Sequence, residues 1–327
     1  MEFVPKVMKK ERKKERNTKK VSVLQRQSQG TGVFLLPLRK KLTTKTKTQN
    51  MEKLTVIKVG GKIVEDEQSL AQLLKDFGKV EGKKVLVHGG GRSATKIGAQ
   101  LGIESQMVGG RRITDAETLK VVTMVYGGLV NKNIVAKLQG EGINALGLTG
   151  ADMNVMLSHK RPVKDVDYGF VGDVDRCDGE MLAKLIAEGI VPVMAPLTHD
   201  GKGNMLNTNA DTIAGETAKA LAKHFDVTLI FCFEKAGVLA DENDDNSVIE
   251  HIDEEEFKRL VDNGTIQGGM IPKIENSLSA VRAGVKRVII TKADAMDGNH
   301  GTCIEDTAET ASHKHPKKKK QKKRINL

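Results

Sequence analysis

The chain has 327 residues, with 53 Lys plus Arg against 42 Asp plus Glu, three Cys and no Trp, and is 39% hydrophobic and 29% charged. A chain of this length buries a core without a disulfide or metal staple, and Cys177, Cys232 and Cys303 show neither disulfide-framework nor zinc spacing, so a reducing, intracellular setting is the default. No run approaches the roughly 20 apolar residues of a membrane-spanning helix, which excludes a helical membrane protein.

In chain order, residues 1–50 carry 15 Lys plus Arg against 3 Glu, in runs such as MKKERKKER that have no hydrophobic period. Such a segment cannot bury enough surface to offset chain entropy, and a disordered basic extension is expected. The functional alternatives are a nuclear signal, a nucleic-acid arm or, for the acid-free residues 16–50, a transit peptide.

Residues 54–59 (LTVIKV) read as a buried strand stopped by Gly60 and Gly61. Leu70, Leu73, Leu74 and Phe77 then recur at helical spacing. A second strand, 84–88 (KVLVH), runs into Gly89, Gly90 and Gly91, and a helix holding Ile97 and Leu101 follows. Residues 116–138 predict one long or broken helix and 144–148 a strand. The alternating segment 154–175 predicts a hairpin around 160–165, residues 190–195 a buried strand, and 200–204 (DGKGN) a tight turn. An Ala-rich helix over 212–225 leads into the strand 227–233 (VTLIFCF). After it come a charged helix at 253–261, a turn at Gly268 and Gly269, a helix from Lys273 and a strand at 287–291. Strands alternating with helices predict an α/β fold, an open, mostly parallel central sheet with helices on both faces in three layers. Residues 305–327 hold 8 basic and 3 acidic residues and predict a disordered basic tail. The intervening 51–304 hold 30 basic and 36 acidic residues, so the net charge of +11 belongs to the tails. An acidic core argues against a nucleic-acid partner.

Two glycine-rich turns each follow a strand, KVGGK at 58–62 and VHGGGRSA at 87–94. Glycine lets backbone N–H groups approach an anion closely, and the helix that follows adds a favourable dipole. Neither turn has Walker spacing. Gly89, Gly91 and Ala94 fit a dinucleotide turn, but the acidic residue expected about 20 positions on is missing. Four further strings, GRRITD (110–115), MLNTNAD (205–211), EKAGVL (234–239) and QGGMIPK (267–273), place Arg, Asn, Asp and Lys beside turns. Strand ends are where open α/β sheets bind ligands. No Ser/His/Asp or Cys/His nucleophile set stands out.

The succession KVGG, VHGGG, GRRIT, NTNAD, KAGVL and GGMIPK, spread over about residues 54–304, resembles the amino acid kinase family. The resemblance implies transfer of the γ-phosphoryl group of ATP to the side-chain carboxylate of an N-acyl-L-glutamate, acetyl or succinyl, in arginine biosynthesis, with Mg²⁺ held mainly by the nucleotide phosphates. A carboxylate is already ionised at pH 7, so the reaction needs no general base and reduces to positioning and charge screening. By resemblance, Lys58 and Lys273 reach the phosphoryl group from the acceptor and nucleotide sides, and Asp211 orients both. Gly61, Gly89 and Gly90 would line the acceptor, and Arg112 would clamp its α-carboxylate together with Asn207. Gly60, Gly237, Gly268 and Gly269 would border the nucleotide. An acceptor lobe at about 51–200, a nucleotide lobe at about 201–304, a homodimer and a cytoplasmic location are implied as well.

The residues by themselves leave other roles open: Asp211 as a helix N-cap, Asn209 as a turn former, His88 and Tyr126 as core. Phe233 and Glu234 stand where the family often has Thr-Asp or Ser-Asp, and the short segment 294–301 leads us to expect an arginine-insensitive enzyme. Kinases of the same fold acting on carbamate, glutamate, aspartate or UMP, and a nicotinamide-dependent dehydrogenase, are the competing expectations.

Overall fold

In the computed structural model residues 51–306 are described, so the disorder expected of 1–50 and, apart from residues 305 and 306, of 305–327 concerns residues outside the described part. Strand β1 (Lys53–Val59) buries Leu54 and Val56 in one apolar cluster and Ile57 and Val59 in another. Both faces are covered, as a central parallel strand requires. It turns through Gly60 into a short helix, α1 (Gly61–Glu65), too brief for any apolar period to announce. Helix α2 (Glu67–Lys79) starts on Asp66, which accepts from Ser69 N at 2.7 Å, and buries the expected stripe Leu70, Leu73, Leu74 and Phe77. Strand β2 (Lys83–His88) and helix α3 (Gly91–Gln100) follow. Two-residue strands β3 (Met107–Val108) and β4 (Arg111–Arg112) then pair across Gly109 and Gly110, whose φ of 55° and 73° glycine adopts without strain.

The helix expected over 116–138 is continuous but not uniform. Helix α4 (Ala116–Val122), capped by Asp115 on Thr118 N, passes into π-helical turns at Thr123–Val130 and then α5 (Asn131–Gly140). Gly127 and Gly128 weaken the α spacing there. Strand β5 (Ala145–Leu148) is followed by β6 (Met156–Lys160) and β7 (Gly172–Cys177), an antiparallel hairpin with a wider loop than expected. Next come α6 (Gly179–Ala187), β8 (Val191–Met194), and a tight hairpin of β9 (Leu197–His199) and β10 (Met205–Asn207). Helix α7 (Ala210–Leu221) leads to β11 (Asp226–Phe233), β12 (His251–Ile252) and α8 (Glu254–Asp262). Helix α9 (Met270–Arg282) begins three residues before Lys273, because Gly268, at φ 53°, turns the chain directly into it. Strands β13 (Arg287–Lys292) and β14 (Thr302–Ile304) complete the described part.

The eight-stranded sheet has the order β12-β14-β13-β11-β1-β2-β8-β5, and every pairing is parallel except β13 with β14. Residues from α6 to α9 (Leu182, Ile213, Leu260, Ile274) join the cluster on one face, and residues from α1 to α5 (Val64, Leu74, Ala94, Val122, Ile134) the cluster on the other. The expected three-layer arrangement results. The chain leaves β1 on one side for β2 and occupies the other side with β11, so the carboxyl ends of three central strands meet where the order reverses, the usual ligand position in such sheets. No described helix is long and apolar enough to cross a membrane.

Beneath this junction His88 is fully buried. Its Nδ1 donates to the Gly89 carbonyl at 2.7 Å, and its Nε2 accepts from Asn131 Nδ2 at 3.1 Å, which in turn also donates to the Val193 carbonyl at 2.9 Å. Burial pushes the imidazole pKa down from 6.5 to about 4; the Gly89 carbonyl opposes this and Lys132 adds to the fall. The folded chain therefore refuses a proton that the unfolded chain takes up below pH 6.5. Stability from this group is complete above pH 6.5 and is lost as the pH falls towards 4, by about 3 kcal/mol. Urea denaturation across this range should show that slope in the wild type and a flatter one in His88→Gln.

Candidate active site

Strands β1 and β2 pair in parallel with Val59 opposite His88, so their glycine turns lie side by side. A Cβ on Gly89 would sit 3.0 Å from Gly61 N, and one on Gly90 would sit 2.8 Å from Tyr126 Cδ1. These contacts leave no room for side chains at either position. The helices that follow, α1 and α3, have glycine N-caps without a capping side chain, which leaves backbone N–H groups for an anion.

Lys58 is on β1, with Leu54 and Val56 four and two residues before it on the face that packs against α7. Its Nζ lies 2.8 Å from Asp211 Oδ1. Asp211 is the second residue of α7, and the N-cap is Asn209, whose Oδ1 accepts from Asp211 N at 2.8 Å and Thr212 N at 3.2 Å. Asn209 thus does the capping, and the Asp211 carboxylate is free for Lys58. Lys273, in the first turn of α9, is half-buried. Burial pulls its pKa down, Asp211 opposes this and the Lys58 charge adds to the fall. Its Nζ lies 4.1 Å from the centroid of the Phe233 ring.

Arg112, on β4, is buried, and its Nη2 donates to the Gly91 carbonyl and to Thr95 Oγ1, each at 2.8 Å, while Nη1 donates to Ser105 Oγ. These bonds hold the guanidinium at the cavity wall, where its charge suits an anion. Asn207, on β10, is buried with Nδ2 donating to Thr114 Oγ1 at 2.9 Å, and it makes no bond to Arg112. Gly89, Gly90, Arg112, Asn207, Asp211, Lys273 and Gly269 share the walls of one cavity of about 530 Å³. Gly60, Gly61 and Gly89 to Gly91 border a second recess of about 300 Å³ with Lys62, Arg92 and Glu234, whose carboxylate pairs with Lys62 at 3.0 Å and reaches Arg92 at 4.0 Å.

Two expected nucleotide glycines line neither of these cavities. Gly237 lies on neither wall; a Cβ there would come within 2.8 Å of Thr302 Oγ1 and Val248 Cγ1, so close packing accounts for it. Gly268 lies on neither wall, and supplies the left-handed turn before Gly269. Sequence reasoning passed over Arg161 and gave Tyr126 and Phe233 no place in the site. Tyr126 is core, as expected, and also lines the main cavity against Gly90. Arg161 lines it too, with Nε 3.1 Å from both Asp173 carboxylate oxygens. No local period marks such residues, because their role arises from elements distant in the chain. Cys232, in the recess, has its thiol pKa pushed up to about 12 by burial, which makes it a poor nucleophile.

The family model described as "Amino acid kinase family" matches residues 53–292. An acetylglutamate kinase of Bacteroides thetaiotaomicron is 74% identical over 253 residues, which cover 77% of this chain and 98% of that protein. An acetylglutamate kinase of Bacteroides fragilis is 72% identical over 258 residues, covering 79% of this chain and 99% of its own. Among solved structures, smu.665 from Streptococcus mutans UA159 is 32% identical with a TM-score of 0.62, covering 77% of this chain and 98% of that one.

Gly90→Ala should lower stability by about 1–3 kcal/mol in urea denaturation, the usual cost of overpacking, because Tyr126 must move. Gly269→Ala, where a Cβ meets open space, should leave it nearly unchanged.

Proposed function

The chain belongs to the amino acid kinase family, and we propose that it transfers the γ-phosphoryl group of ATP to the side-chain carboxylate of N-acetyl-L-glutamate, giving an acyl phosphate in arginine biosynthesis. The observation that carries this reading is the convergence of Asp211, Lys273 and Arg112 on one cavity beside two glycine turns, with Lys58 paired to Asp211. An ionised carboxylate oxygen attacks the γ-phosphorus, the bond to the β–γ bridging oxygen breaks, and ADP leaves with that electron pair. No proton has to move. The chain's contribution is charge screening and alignment: Lys58 on the acceptor side, Lys273 on the nucleotide side, and Asp211 holding Lys58 in place. Glycine-turn N–H groups (Gly60, Gly61, Gly90) face the phosphoryl path, with Gly89 lining it while its own N–H bonds the Val59 carbonyl, Gly269 faces the nucleotide, and the Arg112 guanidinium the α-carboxylate, with Asn207 beside it. Asp211 is the one carboxylate on the main cavity wall and is committed to Lys58, which fits a Mg²⁺ ion held by phosphate oxygens and water. Bound there, the ion would add further screening of the phosphate charge.

A homodimer in the cytoplasm is part of this reading, and the exposed Met124, Leu129 and Leu146 supply apolar surface for a second copy. A second acceptor has one observation in its favour. Arg111 and Arg161 line the same cavity, the kind of basic wall that the extra carboxylate of N-succinylglutamate would need.

The test is ATP-dependent acyl-phosphate formation trapped with hydroxylamine, using N-acetyl- and N-succinylglutamate in parallel. Hydroxamate from either supports the reaction class, and the ratio of kcat/KM names the acyl group; none from both would overturn the acceptor assignment. In the same assay Lys58→Ala should lower kcat by about 10² to 10³. Arg112→Lys should raise KM for the acyl acceptor about tenfold or more, the loss of a charge-assisted hydrogen bond, with KM for ATP little changed.

A further inference from the structure

Two ammonium groups share this site with a single carboxylate. Lys58 has Asp211 at 2.8 Å. Lys273 has no ion pair or hydrogen bond among the described residues; what lies against it is the face of the Phe233 ring, 4.1 Å from Nζ to centroid. Lys58 Nζ lies over the same ring at 5.2 Å. Phe233 is the last residue of β11 and borders both the main cavity and the glycine-turn recess. Its ring stacks with that of Phe231, two residues earlier on the same strand face, with centroids 6.1 Å apart and planes 19° from parallel. Phe231 is itself buried, so the plate is fixed to the sheet.

We propose that Phe233 is a positioning residue for phosphoryl transfer, its ring face holding the Lys273 and Lys58 ammonium groups in place at the cavity between turnovers. The inference rests on the kinase reading of the site. An aromatic face attracts a cation through its quadrupole without carrying net negative charge. A second carboxylate in its place would hold Lys273 more tightly, but would also repel the incoming phosphate oxygens and neutralise the charge meant to screen them. The ring is a partner that Lys273 can leave when phosphate arrives. The charged groups facing Lys273 from other elements are Asp211 on α7 and Lys58 on β1. They act in opposite directions, with Asp211 the stronger, and the ring adds an attraction that brings no net charge.

The experiment is to replace Phe233 by phenylalanine carrying one, two and three ring fluorines, which drains the quadrupole at nearly constant shape, and to prepare F233L and F233W alongside. In the hydroxylamine assay log kcat should fall stepwise with fluorine number, by about threefold to thirtyfold in total, with KM for both substrates moving less. F233L should fall at the low end of the series, and F233W should retain most activity. In the unliganded chain, the Lys273 ammonium followed by ¹⁵N NMR should titrate about half to one and a half pH units lower in the trifluoro variant than in the wild type. Fluorinated variants that match the wild type in both readouts, while F233L alone is impaired, would reduce Phe233 to a packing residue and overturn the proposal. A wild-type protein that forms no hydroxamate would instead overturn the kinase reading, and the NMR series would still decide whether the ring holds the lysine.

Discussion

The architecture turns on a lysine placed inside a buried strand. Lys58 is flanked on β1 by Val56, Ile57 and Val59, all shielded from solvent, and a desolvated ammonium group is costly without a partner. Strand alternation sends position 58 to the face covered by α7, so the partner has to come from that helix. Asp211 supplies it. It can do so because Asn209 caps the helix two residues earlier, sparing the aspartate the role that its position alone suggests. Position along one strand, the face it selects and the cap of one helix are therefore linked through a single ion pair.

Parallel pairing adds the second element. With Val59 opposite His88 on β2 and opposite Cys232 on β11, three strands end together, and everything that follows them is aimed at the same place. The glycine turns after β1 and β2 lie so close that a Cβ on Gly89 would crowd Gly61, and one on Gly90 would crowd Tyr126. Phe233 closes β11 beside them, and α9 brings Lys273 from a part of the chain more than 200 residues away from Lys58. The buried, neutral His88 and its bond network with Asn131 and Val193 support the glycine turn from below without bringing charge into it.

Much of the fold was legible because burial on both faces leaves unbroken apolar runs. The strands at 54–59, 84–88 and 227–233 and the stripe of α2 stand within a residue or two of where their patterns put them. Strands β3, β4, β12 and β14 were not legible, since two or three residues cannot display a period. The π-helical turns after α4 were hidden for a related reason: the apolar spacing reads as ordinary helix, and the widening is visible only in the backbone hydrogen bonds. Gly237 shows how packing can account for a glycine by itself. A glycine beside a polar string suggests a ligand loop, yet here the neighbours that exclude a Cβ are Thr302 and Val248.

The sequence by itself determined which residue types are present and the element on which most of them stand: two glycine turns at strand ends, lysines at 58 and 273 and an aspartate at 211, with an arginine at 112 placed only beside a turn. Those follow from local rules, because apolar period, turn chemistry and strand alternation act over a few residues. Only the tertiary structure decided which of them meet. That Lys58 pairs with Asp211, that Tyr126 rests on Gly90, and that one phenylalanine ring faces two lysines are consequences of strand order and helix placement, which bring together side chains far apart in the chain.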